Sequence, residues 1–327
     1  MDLKASIERR YPWTSAKGSE IREAVCELCT RILGSGLLDG DAEKKLFSEN
    51  PNAFWQQLSE ILLADQLINA GLKPSHQEPG PDFLVDLGKG RLWIEVVTPE
   101  PKGLPDDWIN HVSGNVVSLP HEEILLRWTS AIKEKAEKLL GRADRKTEKR
   151  IPGYLEKGIV RPSDAYVIAI NGRLLRGFGG AIPELHGISQ LPYAVEATFA
   201  VGPLQITIDR QTLQQVGSGL QHRTYIAKPK GAAVPADTFF DPEFSPISAI
   251  WAVDVDELLA IGENRPMVVV HNPLAAVKLD RKILPAQSEY FLTEGDGYYE
   301  VQRADGSLAD QPAKSDEISI DLPLPGR

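Results

Sequence analysis

Nowhere in this chain does an apolar run approach the roughly 20 residues that a membrane-spanning helix needs. A helical membrane anchor is therefore not expected. Cysteine is nearly absent, with only Cys26 and Cys29 in 327 residues, which excludes a disulfide framework. The six histidines fall singly and offer the CELC pair no further zinc ligands, so the two thiols read as reduced side chains on a helix. Positive net charge is missing too. At −10 overall, the molecule does not attract nucleic acid by its average field, and a polyanion must meet a local basic patch. The opening MDLKASIERRYPW carries charges where a secretory signal needs an apolar stretch, and the expected location is the cytoplasm.

What is present is ordinary globular material, long enough to bury a sizeable core. Residues 1–50 read as a helical segment broken at SGLLDGD. A core helix follows in NPNAFWQQLSEILLADQLINAGL, with Asn50 or Asn52 as its N-cap, Pro51 near its start and Gly71 as its stop. Its second half is apolar almost all round, which argues for burial on several sides. DFLVDL and RLWIEVVT then read as two strands joined by a Gly-rich turn. A Pro- and Gly-rich loop leads into a long helix, HEEILLRWTSAIKEKAEKLLG, and DAYVIAING reads as a buried strand. Beyond residue 173 the pattern is β-rich, with strands expected at YAVEATFAVG, LQITID, HRTYIAK, ISAIWAVDV, MVVVHNP and EYFLTEG and a polar tail at the end. The expected class is α/β: a core over 51–172, a helical segment before it, and a β-rich extension over 173–327 packed on the same core.

Three acids stand out against this background. Glu95 interrupts LWI and VVT, so an otherwise apolar strand carries a charge that must be paired, exposed or metal-bound. Asp82 opens the preceding strand, and Glu60 lies on the buried helix. Buried carboxylates resist joint ionisation unless something positive lies between them. A divalent cation resolves the conflict, and Mg²⁺ or Mn²⁺ is satisfied by the Asp82 and Glu95 carboxylates plus a backbone carbonyl such as that of Val96. The ordinary alternatives are a turn aspartate at Asp82 and a core Lys or Arg partner for Glu95.

The order of these features, helix with Glu, PDF before a strand, IEV in the next strand, then helix and apolar strand, resembles the PD-(D/E)XK nucleases of the restriction-endonuclease-like fold. Over residues 54–172 the resemblance implies an αβββαβ core with a mixed central sheet and metal-dependent cleavage of DNA, less often RNA. It assigns Asp82 and Glu95 as metal ligands and Glu60 as the accessory acid of the helix. The sequence departs from that pattern at Val97, where the superfamily has a lysine that lends positive charge to the transition state. EVVTP followed by LRWTSAIKEKAEKL is similar to a bacterial branch that pairs E-x-x-T-P with R-x-T-x-A-x-x-x-K, matching Arg127, Thr129, Ala131 and Lys135. Lys135, which borders the apolar arc of its helix, is then the expected replacement for the strand lysine, and restriction, phage defence or repair the implied roles.

Residues 133–150 carry eight Lys or Arg against four Asp or Glu, and Lys133, Lys138, Arg142, Arg145 and Lys146 are the expected phosphate contacts. A solvated helix face is the commoner meaning of such a run. A homodimer or a protein partner is compatible with the sequence, and no membrane contact is expected. The competing function is a catalytically inactive binding or scaffold module on the same fold, favoured by Val97 and by the acidic net charge. A third reading places chemistry at His271 in VVVHNP, although no Ser or Cys elbow accompanies it.

Overall fold

The computed structural model describes residues 2–327 apart from 111, 113, 115, 145, 178–185, 229, 296–297, 309–321 and 324–327. Four helices come first: α1 (Leu3–Arg10), α2 (Ala16–Leu33), α3 (Ala42–Phe47) and α4 (Pro51–Asn69). Asn50 caps α4 by accepting a hydrogen bond from the Asn52 amide at 2.9 Å, and Pro51 needs no amide partner at the first helical position. Beyond the helix Gly71 turns the chain at φ +79°, a region closed to most side chains. The N-cap and the stop are thus legible from residue type alone.

The strands β1 (Pro74–Ser75), β2 (Phe83–Asp86) and β3 (Arg91–Val97) form an antiparallel meander. After the short α5 (Asp106–Ile109) and the long α6 (His121–Leu140), β4 (Ala165–Asn171) returns parallel to β3. Helix α7 (Tyr193–Thr198) follows, then β5 (Val201–Ile208) and β6 (Gln215–His222), which pair only with each other. Finally β7 (Ala249–Val253), β8 (Met267–His271), β9 (Ser288–Glu294), β10 (Tyr298–Asp305) and β11 (Leu322–Pro323) complete a nine-stranded mixed sheet in the order β1-β2-β3-β4-β7-β8-β9-β10-β11. Strand β4 lies between two parallel neighbours and is buried along its whole length, which is why its sequence is apolar without alternation. Strands β7 to β10 of the C-terminal half lie in the same sheet as β1 to β4. Among the described residues no helix is long and apolar enough to cross a membrane.

Alternation in β3 divides two cores. Leu92, Ile94 and Val96 face α1, α2 and α4, whereas Trp93 and Val97 join α6 and α7 on the other side. Glu95 shares the α6 side by the same alternation. Helix α6 presents Ile124, Trp128, Ala131, Ile132 and Leu139 to the sheet, and Lys135 lies buried among them.

Three expectations need correction. YAVEATFAVG is not one strand: Tyr193–Thr198 is helical, entered from Pro192, and only from Val201 does the chain extend. All six residues of that helix are buried, so no helical periodicity marks it. The long loop after β3 also carries α5, and HRTYIAK yields only the two-residue strand Tyr225–Ile226, paired with Val234–Pro235. Of the expected polar tail, residues 309–321 and 324–327 lie outside the described residues, while 304–305 belong to β10 and 322–323 form β11.

Asn171 ties the end of β4 to α4 and to the segment just after β7. Its amide donates to Ser59 Oγ at 2.8 Å and to the Val255 carbonyl at 3.0 Å, and its Oδ1 accepts from the backbone amides of Arg173 at 3.2 Å and Val255 at 3.1 Å. Asn171 is fully buried, so removing its amide strands polar groups away from water. Asn171→Ala is expected to lower stability by about 2–4 kcal/mol in chemical denaturation; a loss below about 0.5 kcal/mol would show that the network is dispensable.

Candidate functional site

Strand β2 begins at Phe83, opposite Ile94, whereas β3 runs on to Val97. The last residues of β3 therefore have no strand partner on that side, and side chains take its place. Asp82 Oδ2 accepts the Val96 N–H at 2.6 Å. From α4, the Gln56 amide donates to the Val96 carbonyl at 3.3 Å and accepts the Thr98 N–H at 2.8 Å. A side-chain amide thus continues the ladder where the strand has stopped.

Glu95 lies just before this opening and is 1% exposed. Its Oε1 accepts from Lys135 Nζ at 2.8 Å and from Lys138 Nζ at 2.7 Å. Burial alone pushes its carboxyl upward, but the two ammonium groups outweigh that and hold it below the ordinary value. Asp82 has weaker support, from the Val96 amide and the more distant Lys135 charge. Burial raises it well above the usual carboxylate range, and the charges of Glu95 and Glu60 add to the effect. Part of the Asp82 residue remains accessible, although its carboxylate is turned inward to the Val96 amide. Glu60 is raised too, chiefly by burial, with the Gln56 hydrogen bond and the Lys45 charge opposing. Its two oxygens accept from Gln56 and Gln57 at 2.9 Å each.

The three acids the sequence singled out are brought into one electrostatic neighbourhood, but not onto one face. Glu95 points to the α6 side, while Glu60 comes from α4 on the opposite side and reaches the opening through Gln56. Lys135 stands against Glu95. Val97, at the place of the absent lysine, is packed into the α6-side core. Lys138 needs correction: expected to point outward for phosphate contact, it also reaches Glu95, because its long stem spans the extra turn while 45% of the side chain stays exposed.

Two residues went unnoticed in the sequence. Lys45 of α3 bonds Asp39 at 2.7 Å; burial lowers its pKa, but that bond and the charges of Glu60, Asp39 and Asp82 prevail and raise it. Tyr154 donates its hydroxyl to the Gly80 carbonyl at 3.3 Å, and burial with the nearby Glu95 and Asp82 charges pushes it up. Neither belongs to a pattern with a readable period.

A groove of about 1130 Å³ opens beside this cluster and includes Lys138 and Tyr154 in its lining. Seven lysines and arginines line it against three acids, although the chain as a whole is acidic. Lys133, Lys138, Arg142 and Lys146, all expected phosphate contacts, lie there; Arg145 falls outside the described residues. Lys157 joins them, as does Lys228 from a distant part of the chain.

Among the described residues no three acidic, histidine or cysteine side chains stand as a ready-made metal cluster. The donor set at the end of β3 nevertheless suits a hard cation: two carboxylates and the Val96 carbonyl are all oxygen, and magnesium is commonly held by one or two carboxylates with waters and substrate phosphates. Asp82 is raised chiefly by burial and by the Glu95 and Glu60 charges, which the Lys135 charge and the Val96 amide offset only in part. Elsewhere, His271 Nε2 lies 3.3 Å from the buried Glu289, and Cys26 and Cys29 are free thiols. Comparison with protein-family models, curated proteins and solved structures finds no match.

The raised Asp82 has a pH signature. Its native form binds more protons than the unfolded chain above the unfolded value of about 3.9, so its contribution to stability declines as pH rises from there through the native value. Glu95 works in the opposite direction, losing its contribution as pH falls through its depressed value. In chelator, Asp82→Asn keeps an acceptor for the Val96 amide and removes the repulsion. It is expected to raise Tm at pH 8 by on the order of 2 °C, with the gain vanishing near pH 4; a lower Tm at pH 8 would contradict the assignment.

Proposed function

We propose that this protein is a metal-dependent phosphodiesterase of the PD-(D/E)XK kind that cuts nucleic acid, DNA in the first place, in a restriction, phage-defence or repair setting. The observation that carries the reading is Glu95, buried beside Asp82 and held by Lys135 and Lys138 from α6. The order α4, three antiparallel strands, α6 and a parallel β4 supports it, as does the basic groove that meets the cluster at Lys138.

Asp82, Glu95 and the Val96 carbonyl would hold Mg²⁺ or Mn²⁺. When bound, the cation supplies Lewis-acid polarisation of a phosphate and a more acidic water. Lys135, which no water-exposed route makes flexible, keeps a fixed positive charge where negative charge grows on the phosphate oxygens. Lys138 is half in the groove, so it meets the incoming phosphate first and can leave Glu95 to do so. Glu60, on the α4 side, would support the site through Gln56, which bonds both its carboxylate and the Val96 carbonyl.

A binding-module reading has one observation in its favour. Lys135 and Lys138 already neutralise Glu95, which a retained but inactive site also requires.

Plasmid and single-stranded DNA incubated with Mg²⁺ or Mn²⁺ decide between them. Cutting by the wild type is expected to fall at least a hundredfold in Glu95→Ala and in Lys135→Met, with both variants folded by circular dichroism. No cutting by the wild type and no metal-induced rise in Tm would leave the binding module.

A further inference from the structure

Among the described residues β5 and β6 hydrogen-bond to each other and to no other strand. The base of this ribbon is held in the body, where Val201 is buried and Leu220 packs against the α6-side core. Further out, Leu204, Ile206, Ile208, Leu213 and Val216 are each more than half exposed. Alternate residues of a strand share a face, and so do partners directly opposite in an antiparallel pair. Leu204, Ile206 and Ile208 therefore form one aliphatic row, with Leu220 opposite Leu204 and Ser218 opposite Ile206. Val216 continues the second row by the same alternation. Gln205 and Thr207, opposite Gly219 and Gly217, make the other face. One side of the ribbon is aliphatic and uncovered; the other is polar.

Charge narrows what can cover that face. A quarter of the chain is charged, yet from Val201 to His222 only Asp209 and Arg210 are, and both lie at the turn. Depletion of charge at an exposed patch is the compositional mark of a protein interface core. Nucleic acid would find one arginine there, and a membrane would find neither the lysines nor the aromatic rings by which interfacial segments hold lipid. A strongly charged protein partner has nothing to pair with. A second copy of the chain, itself at −10, is repelled by most of this surface but meets no charge on the aliphatic row.

We infer that the β5–β6 ribbon is a dimerisation arm, whose Leu204–Ile206–Ile208 face packs on the same face of a second copy. A two-fold contact has to be self-complementary. An axis through Ile206 sets Ile206 against its symmetry mate and Leu204 against Ile208, side chains of equal volume, while Ser218 beside Ile206 leaves room for the incoming methyls. Two such faces with their glutamine rims bury on the order of 1,000 Å² in total, the lower end of specific interfaces, so association in the micromolar range is expected. The proposal is independent of the phosphodiesterase reading.

Sedimentation velocity of the full chain over a concentration series tests it. The wild type is expected to pass from monomer to dimer, Ile206→Asp to weaken dimerisation at least a hundredfold by facing two carboxylates across the axis, and Thr207→Asp, on the polar face, to leave it unchanged. A second measurement does not depend on a disruptive variant. In a Cys26→Ser background, with Cys29 buried, a bismaleimide spanning about 10 Å, the spacing of stacked sheets, is expected to join two copies of Ile206→Cys but not of Thr207→Cys. A wild type that stays monomeric at about 100 μM, well above a micromolar dissociation constant, overturns the inference. A dimer indifferent to Ile206→Asp, or cross-linking equal at the two positions, does so as well. Flotation of a monomeric wild type with phosphatidylcholine vesicles, lost in Ile206→Asp, would give the face to lipid and overturn it too.

Discussion

A carboxylate in the middle of a buried strand has to be neutralised, and that constraint organises this molecule around Glu95. Taken out of water alone, the charge would cost several kcal/mol. Two lysines one turn apart on α6 supply the compensation, which fixes the rotation and height of α6 against β3. Lys135 accordingly occupies a place in the packed stripe of α6 that an apolar residue would otherwise fill. The sheet does the rest: β2 stops short, β3 continues, and the opening left beside Val96 receives Asp82 from one direction and Gln56 from the other. The same opening is where a cation and a phosphate would be accommodated.

Charge is unevenly distributed across the site. Glu95 is over-compensated, with two ammonium groups at one oxygen, while Asp82 is under-compensated and pushed well above its ordinary range. In the proposed function, a cation between Asp82 and Glu95 would relieve Asp82 and free Lys138 toward the groove.

Much of this was legible in the sequence, and the omissions have physical causes. Glu95 stood out because a charge within LWIEVV has nowhere neutral to go, and Lys135 because it borders the apolar arc of a strongly amphipathic helix. Lys138 was read as an outward residue because a helical wheel locates Cβ atoms, whereas four methylenes let the ammonium reach a neighbour one turn away. Lys45 sits on a six-residue helix too short to show a period. Helix α7 is buried all round and so carries no alternation to read. The second wall of the groove comes from Lys228 and Ala232–Pro235, far from α6 in sequence, and only the fold brings them together.

The central claim is that Asp82 and Glu95 together take one divalent cation. Calorimetric titration of Mn²⁺ into the wild type and Asp82→Asn at pH 7.5 tests it directly, free of any assumption about substrate. One Mn²⁺ per chain in the wild type, with at least tenfold weaker binding in the variant, is the predicted result. No saturable binding, or equal binding by both proteins, would contradict it.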